Sequence, residues 1–191
     1  MKGVDDIAKT LPGTTIAVDW NKPEGAETLL NSLFLAGGLM LSQVASLTGL
    51  EPYVIQNWVR RGFVAPPERK RYSRRQFSRI VLINMLKDSM QLDKICALLS
   101  YVNGDLDDES DDLIDDAQLY LYFVRLVVLV ERKNPTGPEE AAQWCRAAVE
   151  DYQEPVPGAR NRVARCLHVI LTAYLAARLK QEAEALLSAL T

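Results

Sequence analysis

The sequence predicts a mainly α-helical protein in which a basic head with a small β-ribbon precedes an all-helical C-terminal part. Three observations support this fold class. Apolar residues recur at helical spacing along most of the 191-residue chain. Residues 63–72 lack that spacing and hold two prolines and a basic tip, which is typical of a ribbon or loop. Finally, residues 41–101 carry ten basic and four acidic side chains, whereas residues 102–191 carry nine basic and sixteen acidic.

Glycines, prolines and polar caps divide the first hundred residues into five predicted helices. These helices span residues 26–36, 43–48, 52–61, 74–87 and 92–102. Ser73 and Gln76 form the Ser-x-x-Gln pattern of a capping box, which fixes the start of the fourth helix. Ser42 is expected to cap the second. The chain before the first helix is predicted to be irregular.

The second half begins with an acidic run, because residues 105–116 contain eight carboxylates and no base. Three further helices are predicted, over residues 111–133, 139–152 and 159–190. Residues 119–130 are apolar on nearly every side, so this segment is expected to be mostly buried. The last helix would be about 48 Å long if it were straight.

Two short helices joined by a tight glycine-containing turn, then a basic ribbon and a capped helix, make a winged helix-turn-helix layout. In the predicted helix 52–61, Ile55, Trp58 and Val59 share the inward face. The opposite face carries side chains that can read bases: glutamine and asparagine can bond adenine, arginine can bond guanine, and tyrosine can reach a phosphate or stack. The predicted base-reading residues are Tyr53, Gln56, Asn57 and Arg60.

The basic cluster lies around this helix, since residues 58–79 carry eight arginines and lysines against one acid, Glu68. A cluster of this kind next to a candidate reading helix favours contacts to phosphates of double-stranded DNA, with residues 66–72 as the wing. The predicted phosphate-binding residues are Arg61, Arg69, Lys70, Arg71, Tyr72, Arg74, Arg75 and Arg79. The alternative is a protein-interaction adaptor that keeps the winged-helix shape without a DNA role.

Residues 41–49 and 54–64, followed by Pro66-Pro67, resemble the MerR-type winged helix, and Arg71-Tyr72-Ser73 falls where that family has its wing end. The closest likeness is to an uncharacterised bacterial domain-of-unknown-function family with a MerR-like head. It covers residues 26–132, with specific motifs only in residues 41–100. The resemblance implies a winged helix-turn-helix that binds duplex DNA, and therefore a transcriptional regulator. Gln56 and Asn57 depart from the arginine and tyrosine that usually occupy these positions.

The domain organisation follows from the charge pattern and the layout. The predicted division is an N-terminal segment with one helix at residues 1–40, the DNA-binding domain at 41–104, and an acidic linker with a helical oligomerisation or sensing part at 105–191. A reader with a single recognition helix usually dimerises to bind two half-sites, so a homodimer through the C-terminal helices is expected. Residues 119–130 and the apolar stripes of the last helix would supply that surface.

The remaining signals argue against other classes of protein. No apolar run reaches the ~18 residues that a membrane span needs, so no membrane partner and a cytoplasmic location are expected. Cys96, Cys145 and Cys166 are too widely spaced for a zinc knuckle or a disulfide framework. The acidic run does not match a calcium loop, because Ser110 stands where that loop has its glycine. No cofactor, metal or enzymatic activity is therefore predicted, and a small-molecule effector stays unknown.

Overall fold

The computed structural model describes residues 10–20, 24–106 and 108–190. Within these residues the fold is mainly helical, with eight α-helices, one 3₁₀ turn and one two-stranded antiparallel sheet. The helices are α1 (Glu24–Leu33), α2 (Leu41–Thr48), α3 (Pro52–Arg60), α4 (Arg74–Leu86), α5 (Leu92–Asn103), α6 (Asp116–Arg132), α7 (Pro138–Ala148) and α8 (Ala159–Ser188). The strands are β1 (Leu39–Met40) and β2 (Arg71–Tyr72). The irregular backbone expected at residues 1–9 lies outside the described residues.

Side-chain hydrogen bonds mark the starts of α2, α4 and α6. The capping box at α4 is confirmed, because Ser73 Oγ accepts the Gln76 N–H at 3.2 Å and Gln76 Oε1 accepts the Ser73 N–H at 2.8 Å. The predicted Ser42 cap is wrong: α2 starts directly after Met40, whose N–H donates to the Gln43 side chain. Likewise α6 starts later than predicted, because Asp115 accepts the backbone N–H groups of the first turn.

The sheet has a longer-range pairing than the sequence predicts. The strand after the basic turn pairs with the strand that precedes α2, in the register Leu39↔Tyr72 and Met40↔Arg71. Residues 63–67 do not supply the partner strand, and Pro66 and Pro67 lack the N–H that a sheet ladder requires. The consequence is that the basic turn is tied to the start of α2.

The core is shared between the basic head and the acidic C-terminal part. In α4, residues 77–83 are all buried, so every side of this helix is covered. Helices α5, α6 and α8 pack against it, and the N-terminal segment adds Gly13, where a Cβ would come within 2.5 Å of Val81 O. The predicted burial of residues 119–130 is confirmed for most of this stretch, with Tyr120 and Phe123 fully enclosed.

The last helix extends past this core. Its last buried residue is Ala177, and no residue from 179 to 190 is buried. Four leucines are exposed on this end: Leu179, Leu186, Leu187 and Leu190. None of the described helices combines the length and the apolar character needed to cross a membrane.

Candidate nucleic-acid interface

The pair α2–α3 presents one face of α3 to solvent. Gly49 ends α2 in the left-handed region, with φ of 69°, which turns the chain sharply before Pro52 opens α3. Ile55 and Trp58 are buried against the core, which confirms two of the three residues of the predicted inward face, while Val59 is half-buried. The opposite face of α3 is consequently the one that a ligand can reach.

The four base-reading candidates lie on that outer face, but they are not equally accessible. Tyr53 is 70% exposed, Gln56 and Arg60 are exposed, and Asn57 is half-buried. Asn57 Oδ1 accepts a hydrogen bond of 2.7 Å from the Arg60 guanidinium. This bond uses one lone pair of the oxygen that Asn57 would offer to adenine, and it orients the Arg60 guanidinium.

The basic tip is a tight turn in which two consecutive residues adopt left-handed backbone angles. Arg69 has φ of 46° and Lys70 has φ of 64°, and the Arg71 N–H donates to Glu68 O at 2.8 Å. Hairpin turns of this kind prefer Asn-Gly, because a Cβ in the left-handed region costs about 1 kcal/mol or more. The turn therefore keeps two exposed cations at positions where other residues would be less strained.

A groove of about 690 Å³ separates α3 from this turn. Gln56 and Arg60 line it from the helix side, and Lys70 lines it from the turn. Met40, Leu41, Pro52, Val59 and Pro67 give the rest of the lining a largely apolar character. Two predicted reading residues, Gln56 and Arg60, and two predicted phosphate-binding residues, Lys70 and Tyr72, thus border one depression.

The predicted phosphate-binding residues fall into separate groups. Four are exposed: Arg61, Arg69, Lys70 and Arg71. Of these, Arg71 donates to Gly38 O at 3.0 Å, and Arg61 lies over the Phe63 ring and 3.6 Å from Asp93. Arg74 is half-buried at the start of α4. These five residues keep a cationic surface that phosphates could reach.

The burial of Tyr72 and Arg79 contradicts their predicted role as phosphate contacts. Tyr72 is only 3% exposed because β2 directs it into the core, and this burial raises the pKa of its phenol. Arg79 is only 4% exposed because α6 covers that side of α4. Its Nε donates to Phe63 O at 2.8 Å, and its NH1 lies 3.3 Å from Asp116 Oδ2. Neither side chain can meet a phosphate of a docked duplex.

A buried polar network replaces the expected role of Arg79. Asp116 has no exposed surface, and it accepts hydrogen bonds from Arg79 and from Asn103 Nδ2 at 2.8 Å. Burial raises the pKa of the Asp116 carboxyl to about 6, against the opposing pull of the Arg79 and Arg75 guanidinium groups. Arg75 is mostly covered as well, with NH1 2.6 Å from Asp112 Oδ2. This network could not be recognised in the sequence, where its only sign is an acidic residue at the start of an apolar helix.

Residues 37–123 match the family model of a domain of unknown function, DUF1836. The match confirms the expected likeness to a domain-of-unknown-function family, while the MerR-like character of the head stays a prediction. No curated protein and no solved structure matches the chain. The DUF1836 match contains the groove, the basic turn and the Asp116 network, and it ends within α6. The matched segment therefore includes the start of α6, which supplies Asp116 to the head.

Proposed function

We propose that this protein is a sequence-specific duplex-DNA-binding protein with a winged helix-turn-helix head, acting as a transcriptional regulator. The observation that carries the proposal is the single groove bordered by Gln56 and Arg60 of α3 and by Lys70 of the basic turn. In this proposal α3 enters the major groove, and the turn lies on the adjacent phosphate backbone.

The chemistry of the exposed side chains supports this docking. A glutamine can bond an adenine edge in a bidentate manner, and an arginine held by Asn57 can bond guanine O6 and N7. The exposed cations of the turn can neutralise phosphates, which fixes the register of the protein on the duplex. Since the acidic residues concentrate outside residues 41–101, the head is the part of the chain that DNA would attract.

The test is selection of binding sites by the full chain from a random duplex pool, followed by titration of the chosen site at several salt concentrations. With about 3–5 phosphates neutralised per subunit, log K falls with log salt at a slope of roughly −3 to −5 per subunit. Replacing Arg69, Lys70 and Arg71 with alanine flattens that slope and weakens binding to all sequences alike. Alanine at Arg132, Lys133 and Lys180, which lie far along the chain, is the control with equal charge loss.

A second candidate function is a protein-interaction adaptor, which the apolar lining of the groove favours. Met40 is 50% exposed beside this groove, and Pro52 and Pro67 border it. A peptide with an apolar anchor would fit such a surface. The salt series separates the two candidates, because binding of an apolar peptide depends little on salt whereas phosphate binding depends on it steeply.

The proposed regulator acts as a homodimer through the outer end of α8. Most of residues 119–130 are buried within the chain, so the part of the expected interface that relied on this segment is not proposed again. The leucines beyond Ala177 remain, and Leu179, Ala183, Leu186 and Leu190 follow the 4-3-4 spacing of a two-helix seam. Pairing of this stripe with a second copy would hold two heads for two half-sites.

A further inference from the structure

A second depression adjoins the groove between α3 and the basic turn. This cavity has a volume of about 1010 Å³ and opens between Gly37-Gly38, the basic turn and the start of α4. Among the described residues, only Tyr72 lines both depressions. Five arginines line the cavity: Arg69, Arg71, Arg74, Arg75 and Arg79.

The positive charge of this cavity is only partly balanced. Among the described residues its lining contains two carboxylates, Glu68 and Asp116, and Asp116 pairs with Arg79. Among the described residues, no carboxylate forms a salt bridge with Arg69 or Arg74. The Nε of Arg74 is also buried, and none of the residues that the structure describes accepts a hydrogen bond from it. A buried donor without an acceptor is costly, and an anion in the cavity would remove that cost.

We propose that this cavity binds a small organic phosphate. Guanidinium groups match phosphate oxygens in a bidentate geometry, and those of Arg69 and Arg74 form no salt bridge with a carboxylate of the described residues. Ser73 and Arg74 at the positive end of the α4 dipole line the same cavity. Phe34, Pro66 and Leu106 add an apolar wall for the organic part of the ligand. The volume lies at the upper end of the range of small-molecule sites.

The position of the cavity distinguishes this ligand from the DNA backbone. No residue of α3 lines it, so a duplex docked on α3 lies over the other depression. The cavity also extends inward to Arg79 and Asp116, which are both buried. A concave site of this depth suits a small molecule rather than a stiff duplex.

Occupancy of the cavity has a regulatory consequence. This consequence rests on the proposed function, whereas the binding site itself does not. Arg69 and Arg71 line the cavity and also belong to the exposed cations of the basic turn. A bound phosphate neutralises them and lowers the affinity for DNA. By linkage, DNA lowers the affinity for the phosphate by the same factor.

The site is tested by calorimetric titration of the full chain with sodium pyrophosphate, without DNA and with ionic strength held constant by sodium chloride. The expected result is saturable binding of one pyrophosphate per chain. Arg74→Gln and Arg69→Gln each weaken it about tenfold, since each removes charge-assisted hydrogen bonds. Lys70→Gln leaves it unchanged, because Lys70 is the adjacent cation that lines the other groove. Absence of saturable heat, or equal weakening by all three variants, overturns the proposal.

A competition arm separates this inference from the proposed function. Pyrophosphate that binds the chain and displaces the selected duplex supports both the site and its regulatory consequence. DNA binding by a chain that does not bind pyrophosphate overturns the site alone. Saturable pyrophosphate binding by a chain that binds no duplex supports the site and overturns the proposed function. Pyrophosphate binding that leaves DNA affinity unchanged overturns the regulatory consequence.

Discussion

The basic residues of the cluster look equivalent in the sequence, but they have different roles in the structure. Arg75 and Arg79 are four residues apart on α4. Arg79 pairs with Asp116 at the start of α6, and Arg75 pairs with Asp112, which precedes that helix. The sequence could predict the cluster, because adjacent charges are visible in it. It could not predict the pairing, because Asp116 lies 37 residues from Arg79 along the chain.

The strained turn gives a prediction at Lys70. Lys70→Gly raises the free energy of unfolding by about 0.5–1 kcal/mol, because relief of left-handed strain exceeds the extra entropy of the unfolded glycine. Urea denaturation measures this change. Lys70→Ala is the matched control, since it removes the same charge and keeps the strain. Both variants should weaken DNA binding alike; a glycine variant no more stable than the alanine variant would show that the turn is unstrained.

The buried Asp116 gives a prediction about pH. Its pKa of about 6 in the folded protein exceeds the ordinary value of 3.8, so the folded state binds the proton more tightly than the unfolded state. The contribution of this group to stability therefore increases as the pH falls from about 7 to 4, by on the order of 3 kcal/mol. Denaturation curves across this window measure it, and Asp116→Asn should flatten the dependence.

The contribution of Glu140 to stability has the opposite pH dependence from that of Asp116. Hydrogen bonds from the Thr136 N–H, Lys133 and the Thr136 hydroxyl lower the pKa of its carboxyl to about 2. A lowered pKa stabilises the folded state above the unfolded value of 4.5, and this contribution is lost as the pH falls toward 2. The two groups thus act in opposite directions, mostly in different pH windows. Stability that only decreases between pH 7 and 4 in the wild-type protein would contradict the assignment of Asp116.

At the scale of elements, the helices were predictable and the sheet was not. Glycines, prolines and a capping box mark most helix ends in the sequence itself, so the predicted helices occur with shifted ends. By contrast, β1 is only two residues long, which is too short for any alternation of apolar and polar residues. The groove of the candidate site depends on this strand, because Met40 forms part of its wall. The solvent-facing side of α3 could therefore be predicted, but the groove that borders it could not.

The outer face of α3 gives a prediction about base readout. Gln56→Ala and Arg60→Ala should each relax the preference at one base pair, since a bidentate contact is worth about 1–3 kcal/mol of discrimination. Asn57→Ala should affect the same base pair as Arg60→Ala, because Asn57 orients that guanidinium. Site selection with each variant and with the Asn57/Arg60 double variant measures this. An Asn57→Ala protein that loses preference at a separate base pair would make Asn57 an independent reader.

At the scale of the whole molecule, the apolar surface is distributed differently from what the sequence predicts. The sequence contains two apolar surfaces that could mediate association, namely residues 119–130 and the stripes of the last helix. The chain itself covers the first and the inner half of the second, including Val163, Leu167 and Ile170. Periodicity cannot distinguish these two uses, because a bundle core and a dimer seam share the same spacing.

The exposed end of α8 gives a prediction about assembly. Leu179→Glu with Leu186→Glu should convert the dimer to a monomer and weaken DNA binding, with little loss of thermal stability, since both side chains lie beyond the core. Light scattering at tens of micromolar protein measures the mass. Gln181→Glu with Ser188→Glu adds the same charge elsewhere on this end and should leave the dimer intact. A wild-type chain that is monomeric under these conditions would contradict the proposed interface.

The enclosure of residues 77–83 of α4 has a consequence for how this protein can change by recombination. Joining the head to a different tail would expose to water the apolar faces that α6 and α8 now cover, and such a hybrid would aggregate or be degraded before it could act. The head therefore cannot be transferred to another protein without its own C-terminal helices. The segment that recombination would have to transfer as a whole extends from the N-terminal turn at Gly13 to the inner half of α8, well beyond the matched segment 37–123.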